Sequence, residues 1–116
     1  MAIEFRKDAY KKARGGYSRL MTLFCRACGE KIAMYQKDGA GSLRRLYLDR
    51  ILSPRKLATL ENRRLDEIPK LTCPKCKEDI GVPHIYKKEK RKAFRLYQDA
   101  LAKKIKKLED QRRLGI

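Results

Sequence analysis

Short apolar runs separated by turn signals fill the first three quarters of the chain. These runs predict β-strands over 20–24, 31–36 and 80–86. Pro83 in the last run favours an edge position, because proline cannot donate a hydrogen bond to a neighbouring strand. A further apolar segment, 43–52, follows the glycine-rich turn at 38–41 and is interpreted as the returning strand of a hairpin.

Helical signals occur in two further segments. Ser53 followed by Pro54 is typical of a helix start, so a short helix is predicted over 54–65. Within 87–116 the apolar residues recur every three or four positions, which predicts one face of a long helix. That stripe consists of Phe94, Tyr97, Leu101, Ile105 and Leu108, and Gly115 lies where the helix would stop.

The whole pattern predicts an α+β fold: a small β-sheet with an inserted helix, followed by a long basic C-terminal α-helix. The predicted parts are a basic N-terminal arm or weak helix at 1–19, a sheet domain at 20–86, and the amphipathic helix at 87–116. A chain of this length buries only a modest core, which favours an additional staple such as a metal ion.

Charge narrows the range of partners. The sequence has 31 Lys and Arg residues against 14 Asp and Glu, a formal net charge of +17. Self-repulsion at this charge disfavours a compact isolated chain, whereas a polyanion such as RNA, DNA or an anionic membrane would relieve it. The sequence shows no apolar segment typical of a membrane span or secretion signal, so a soluble cytoplasmic protein is expected.

The four cysteines form two Cys-x-x-Cys pairs, Cys25 with Cys28 and Cys73 with Cys76. Two thiolates separated by two residues can reach one ion from a single tight turn, and two such turns complete a tetrahedron. Zinc prefers this ligand set, and four protein ligands leave no open position for substrate. One structural Zn²⁺ per chain is therefore predicted.

The residues around these pairs resemble the zinc-ribbon, or rubredoxin-type knuckle, family. The matching residues are Cys25-Arg26-Ala27-Cys28-Gly29 and Cys73-Pro74-Lys75-Cys76. The resemblance implies two knuckles that face each other across a metal, each connected to a hairpin or strand, and a role in transcription, translation or nucleic-acid processing. Lys77 departs from it, because the second knuckle often has glycine there, and the long gap between the pairs implies an inserted helix.

Other interpretations of the cysteines remain open. The same four thiolates could hold iron in an electron-transfer site, or act as redox thiols or disulfides. His84 is interpreted as a packed or surface residue, because the site already has four ligands. Basic residues beside the ligands could offset the formal −2 charge of a four-thiolate zinc site rather than bind a partner. They are Arg26, Lys31, Lys75 and Lys77.

Clustered basic residues are the candidate phosphate contacts. Those before the second knuckle are Arg44, Arg45, Arg50, Arg63 and Arg64. Those on the predicted C-terminal helix are Lys87, Lys88, Lys90, Arg91, Lys92, Arg95, Lys103, Lys104, Lys106 and Lys107. A solvated helix face is the alternative, but positive charge at a helix start opposes the helix dipole. Tyr35 and Tyr47 could stack on unpaired bases, although half-buried sheet positions are the favoured interpretation.

The sequence therefore predicts a basic, zinc-stabilised protein that binds nucleic acid, with RNA slightly preferred over DNA. Small basic metal-stapled chains resemble ribosomal or ribosome-associated proteins, so a larger ribonucleoprotein or transcription complex is an expected partner. The alternative is a zinc-ribbon protein–protein interaction module of a transcription or translation machine. Neither enzymatic activity nor a small-molecule or membrane partner is expected, since no nucleophile–base pair or phosphate-cradling loop stands out.

Overall fold

Eight antiparallel strands make up most of the chain that the computed structural model describes, which is residue 6 and residues 8–39 and 41–106. The strands are β1 (Ser18–Cys25), β2 (Lys31–Asp38), β3 (Arg45–Tyr47), β4 (Ile51–Ser53), β5 (Leu71–Thr72), β6 (Asp79–Tyr86), β7 (Arg91–Leu96) and β8 (Leu101–Lys106). They form two four-stranded sheets, with the order β4-β2-β1-β8 in the first and β3-β7-β6-β5 in the second.

Helical structure in the described residues is confined to short segments. These are α1 (Ala9–Ala13), α2 (Arg55–Ala58) and the 3-10 turns Leu48–Arg50, Thr59–Asn62 and Leu65–Glu67. The Asp8 side chain caps α1 by accepting hydrogen bonds from the backbone N–H groups of Tyr10 and Lys11. Among the described segments, neither α-helix has the length that a membrane crossing requires.

The predicted α+β class with a long C-terminal helix is wrong, because the described residues are mostly β-sheet. Over the described part of 87–116, a turn at 87–90 leads into β7, and a connection at 97–100 leads into β8. Lys90 and Asp99 adopt positive φ angles of 53° and 59°, which interrupt any continuous helix. Residues 107–116, which include Lys107, lie outside the described residues.

Backbone pairing explains why the helical spacing of the apolar residues in 87–116 gave a wrong prediction. β7 lies between β3 and β6, and β8 pairs with β1, so long-range hydrogen bonds replace the local bonds of a helix. The apolar stripe is consequently divided among different environments. Phe94 is buried in β7, whereas Tyr97 and Ile105 are 47% and 39% exposed.

The other predicted elements are present in part. The predicted strands at 20–24, 31–36 and 80–86 are confirmed by β1, β2 and β6. Segment 43–52 contributes β4 to the first sheet beside β2 and β3 to the second sheet beside β7. Of the helix predicted over 54–65, only the four residues of α2 and the following 3-10 turn form. β5 pairs with β6 only at Asp79 and Gly81, so Pro83 lies beyond the end of that pairing.

Both sheets contribute to one hydrophobic core. Its largest fully buried apolar side chains are Met21, Leu23 and Tyr35 from the first sheet, Leu46, Ile80 and Phe94 from the second, and Leu48 from a 3-10 turn. The Tyr35 hydroxyl accepts a hydrogen bond of 2.8 Å from the backbone N–H of Tyr47, which joins β2 to β3. Tyr35 is therefore a sheet residue as expected, but it is fully buried rather than half-buried, whereas Tyr47 is half-buried in β3.

A network of arginines and carboxylates closes the core at the end of β1 and β2 where Ser18 pairs with Asp38. Arg50 is 1% exposed, and its Nε donates to Asp38 Oδ2 at 2.8 Å. Asp38 also accepts from the Ser18 hydroxyl at 2.7 Å. Arg91 continues the network by donating to Asp49 Oδ1 at 2.7 Å, so the network reaches both sheets. These bonds satisfy charges that would otherwise be costly to bury.

Replacing Arg50 with methionine is expected to lower the free energy of unfolding by roughly 3–5 kcal/mol, because the buried Asp38 carboxylate loses its cation. Denaturant unfolding of the metal-loaded protein measures this change. The control is Arg64→Met, whose ion pair with Asp66 is exposed and should contribute less than about 1 kcal/mol. Asp38→Asn added to Arg50→Met should recover part of the loss. Equal effects of the two single substitutions would contradict a structural role for Arg50.

Candidate functional site

The four cysteine sulfurs meet at one end of the molecule. The Sγ atoms of Cys25, Cys28, Cys73 and Cys76 all lie within 4.8 Å of one another. The separation is 3.6 Å between Cys25 and Cys76 and 3.5 Å between Cys28 and Cys73, and all four thiols are free. A tetrahedral ion with metal–sulfur bonds of about 2.3 Å would separate its ligands by about 3.8 Å. The four cysteines could therefore hold one metal ion, and their predicted convergence is confirmed.

The two cysteine turns share one backbone pattern. In each turn, the backbone N–H of the first cysteine donates to the carbonyl five residues later. The carbonyl of the same cysteine accepts from the backbone N–H four residues later. The donor–acceptor pairs are Cys25–Glu30 (2.7 Å), Gly29–Cys25 (2.8 Å), Cys73–Glu78 (2.9 Å) and Lys77–Cys73 (3.0 Å). Each turn connects two antiparallel strands, β1 to β2 and β5 to β6. The arrangement is consistent with zinc-binding knuckles.

Both turns need a residue with positive φ after the second cysteine. Gly29 meets this need with a φ of 83°, and Lys77 occupies the equivalent position with a φ of 67°. Glycine adopts this conformation readily, but a side chain brings Cβ too close to the following carbonyl oxygen. The second turn is therefore the more strained of the two.

The two thiols of the second cysteine turn differ in pKa. Burial raises the pKa of Cys73, but the backbone N–H groups of Cys76 and Lys75, each 3.4 Å from its sulfur, help lower it to about 6. The backbone of Glu78 lowers the pKa of Cys76, but burial and the neighbouring sulfurs, first that of Cys25, raise it to about 12. Thiols packed this closely resist ionising together, and a divalent cation would offset that repulsion.

A groove with a volume of about 1130 Å³ begins beside the first cysteine turn. Its apolar lining includes Leu43, Leu96, Ala100 and Leu101, which are partly buried against the core. Its basic lining consists of Arg26, Arg44, Arg45, Arg95 and Lys103, with Asp99 as the single carboxylate among the lining residues. We call this surface the basic groove. The Arg26 backbone N–H donates to the Ala100 carbonyl at 3.0 Å, so the cysteine turn is bonded to the groove wall.

The cations of the basic groove have no acidic partner among the residues that the structure describes. No carboxylate of the described residues forms an ion pair with Arg26, Arg44, Arg45, Arg95 or Lys103. Four of these five side chains are exposed, and Arg45 lies over the Tyr86 ring at 4.2 Å. An adjoining pocket of about 180 Å³ differs, because its Arg14, Arg50 and Arg91 pair with carboxylates.

The predicted phosphate contacts are divided among several surfaces. Arg44, Arg45, Arg95 and Lys103 meet in the basic groove. Lys87, Lys88, Lys90, Arg63, Arg64 and Lys104 are exposed outside its lining. The Lys92 ammonium donates to the backbone carbonyl of Glu61. Arg50 and Arg91 are buried in ion pairs, so we leave both out of the proposed contact surface. Lys106 is described only as part of β8, and Lys107 lies outside the described residues.

Neither Arg26 nor Tyr97 is among the phosphate contacts that the sequence predicts. For Arg26 the sequence leaves both charge compensation at a metal and partner binding open, and Tyr97 belongs to the predicted helical stripe. Both line the basic groove. For Tyr97, Asp99 is the sequence signal that a turn rather than a helix follows. Aspartate tolerates positive φ, and Gln98-Asp99 forms the turn after Tyr97.

Lys77→Gly is expected to raise the free energy of unfolding by about 0.5–1 kcal/mol, because relief of left-handed strain exceeds the entropy cost of glycine. Gly29→Lys should lower it by a similar amount, since no atom lies within 4 Å of the added Cβ and only the backbone conformation opposes it. Denaturant unfolding with metal bound measures both changes.

Lys77→Gln is the matched control, because it removes the charge near the sulfurs but keeps a side chain at positive φ. It should not gain the stability that Lys77→Gly gains. If the two variants are equally stable, the strain assigned to this turn is absent.

The sulfur cluster and the basic groove are adjacent, and a backbone hydrogen bond joins them. No known protein family, characterised protein or solved structure matches this chain. The candidate site is therefore defined by the geometry of its own residues.

Proposed function

We propose that this chain is a zinc-stabilised, non-enzymatic domain of the zinc-ribbon type that binds nucleic acid through the basic groove. The observation that carries the proposal is the group of five basic side chains on one groove, none paired with a described carboxylate. Phosphates would provide the charge that these side chains lack. RNA is slightly preferred over DNA.

The ligand chemistry supports zinc as the metal. Four thiolates converging from two turns form a tetrahedral, soft ligand set, which zinc occupies in structural sites. Once bound, the ion would act as a cross-link between the two hairpins. Cys25 and Cys73 are buried at their strand ends, whereas Cys28 and Cys76 are exposed on the turns. The four side chains fill every position of a tetrahedral ion, which supports a structural role over a catalytic one.

The charge distribution supports nucleic acid as the partner. The two buried arginines each have a carboxylate partner, Asp38 for Arg50 and Asp49 for Arg91. The basic groove differs, because its cations pair with no described carboxylate. Like charges left together on an exposed surface destabilise a fold, so their retention favours a role in binding an anion. Arg44 and Arg95 can also form bidentate contacts with phosphate oxygens.

Zinc binding is expected at one ion per chain. Elemental analysis of the purified protein measures zinc and iron together, and stoichiometric iron with a red colour would contradict the proposal. Cys76→Ser should lose most of the metal, because three thiolates bind zinc less well than four. Ala27→Ser is the matched control, since Ala27 lies in a cysteine turn but is not a ligand. A strong chelator should lower the melting temperature of the parent protein.

Nucleic-acid binding is expected to weaken about a hundredfold between roughly 50 and 200 mM salt, as five phosphate contacts would dictate. Titration of labelled RNA and DNA of equal length at both salt concentrations measures the change. Lys70→Gln is a control outside the groove, because Lys70 is exposed and paired with Asp79. Affinity that does not change with salt would contradict an electrostatic contact. Retention of partner proteins after nuclease treatment would favour a protein-interaction module instead.

A further inference from the structure

The basic groove combines two kinds of surface that a phosphate backbone alone does not require. Its apolar residues, among them Leu43, Leu96 and Leu101, are only partly buried. Tyr97 also lines the groove and is 47% exposed, more than any other large hydrophobic side chain of the described residues. A ligand that matches this lining must bring apolar faces as well as negative charge.

Tyr97 differs from Tyr35, Tyr47 and Tyr86 in having an available ring, and it is the one tyrosine that lines the groove within the described residues. Tyr35 is 2% exposed, Tyr47 has the Arg91 guanidinium 3.8 Å from its ring centroid, and Tyr86 has the Arg45 guanidinium at 4.2 Å. Within the described part of the chain, no aromatic or cationic side chain stacks on Tyr97. The Tyr97 backbone is nevertheless fixed, because its N–H donates to the Ile80 carbonyl at 3.0 Å.

A duplex and a single strand present different parts of the nucleic acid to this groove. In a duplex the base faces are stacked inside and only phosphates, sugars and base edges reach a protein surface. An unpaired strand exposes the faces of its bases, which stack on aromatic side chains while a positive groove follows the backbone. A duplex would leave the apolar lining and Tyr97 unused.

We infer that the basic groove takes single-stranded rather than duplex nucleic acid, with an unpaired base stacked on Tyr97 and backbone phosphates on Arg44, Arg95 and Lys103. This inference rests on the proposed function and adds the form of nucleic acid to it. Arg26 and Arg45 extend the positive surface to the two ends of the groove, where it adjoins the cysteine turn and the smaller arginine pocket.

The test compares a labelled polyuridine strand with a duplex of the same phosphate number, using the full zinc-loaded chain. Polyuridine should bind at least about tenfold more tightly than the duplex, because base stacking adds to the phosphate contacts. Tyr97→Ala should weaken polyuridine binding about tenfold and leave duplex binding unchanged, whereas Tyr97→Phe should bind like the parent. Tyr17→Ala is the matched control, because Tyr17 is 41% exposed outside the groove lining.

A second pair of variants separates charge from stacking. Arg44→Gln and Arg95→Gln should each weaken the binding of both polyuridine and the duplex. For the single strand, each should also reduce the slope of log affinity against log salt by about 0.7. Zinc content and melting temperature identify any variant that fails to fold, and Tyr97→Phe preserves the ring if Tyr97→Ala does not fold.

The outcomes are distinguishable. Equal or tighter binding of the duplex, or a Tyr97→Ala variant that binds polyuridine as well as the parent, would overturn the single-strand inference and leave the proposed function standing. Polyglutamate binding as tightly as polyuridine would also overturn it, because charge alone would then suffice. Failure of the parent protein to bind any RNA or DNA would overturn both.

Discussion

The convergence of four sulfurs is the constraint on which the arrangement of the two sheets depends. One cysteine turn ends β1 in the first sheet, and the other ends β5 in the second. The sulfurs lie within 4.8 Å of one another, so the two hairpins cannot separate at this end without dissolving the cluster. A metal ion bound there would cross-link the hairpins, which would benefit a chain with a net charge of +17 and a modest core by limiting how far self-repulsion can open the fold.

The arginine–carboxylate network links the two sheets at the far end of the β1–β2 hairpin. Asp38 lies opposite Ser18, at the end of the strands remote from Cys25, and binds the buried Arg50. The basic groove adjoins both regions, since Arg26 of the cysteine turn is in its lining and it shares Arg44 and Arg45 with the arginine pocket. If the groove binds a flexible ligand as proposed, support from these two regions would lower the entropy cost of binding.

Local signals predicted the site better than they predicted the fold. The spacing of the cysteines was sufficient to predict their convergence, because two tight turns that supply thiolates have few other uses. The strands β1, β2 and β6 followed from continuous apolar runs. The C-terminal region could not be predicted in this way, because Phe94, Tyr97 and Leu101 fit a helical period by coincidence. Phe94 and Leu101 lie in strands that depend on pairing with β1, β3 and β6, Tyr97 lies in the connection between those strands, and the pairing leaves little trace in neighbouring residues.

The hydrogen bond from the Arg26 N–H to the Ala100 carbonyl would give metal binding a second consequence. It attaches the cysteine turn to the wall that carries Tyr97 and Leu101. If the cluster holds an ion as proposed, a chain without it would keep its arginines but lose the support that sets their spacing. Incomplete metal loading would then divide a sample into two populations that differ in how firmly this wall of the groove is held.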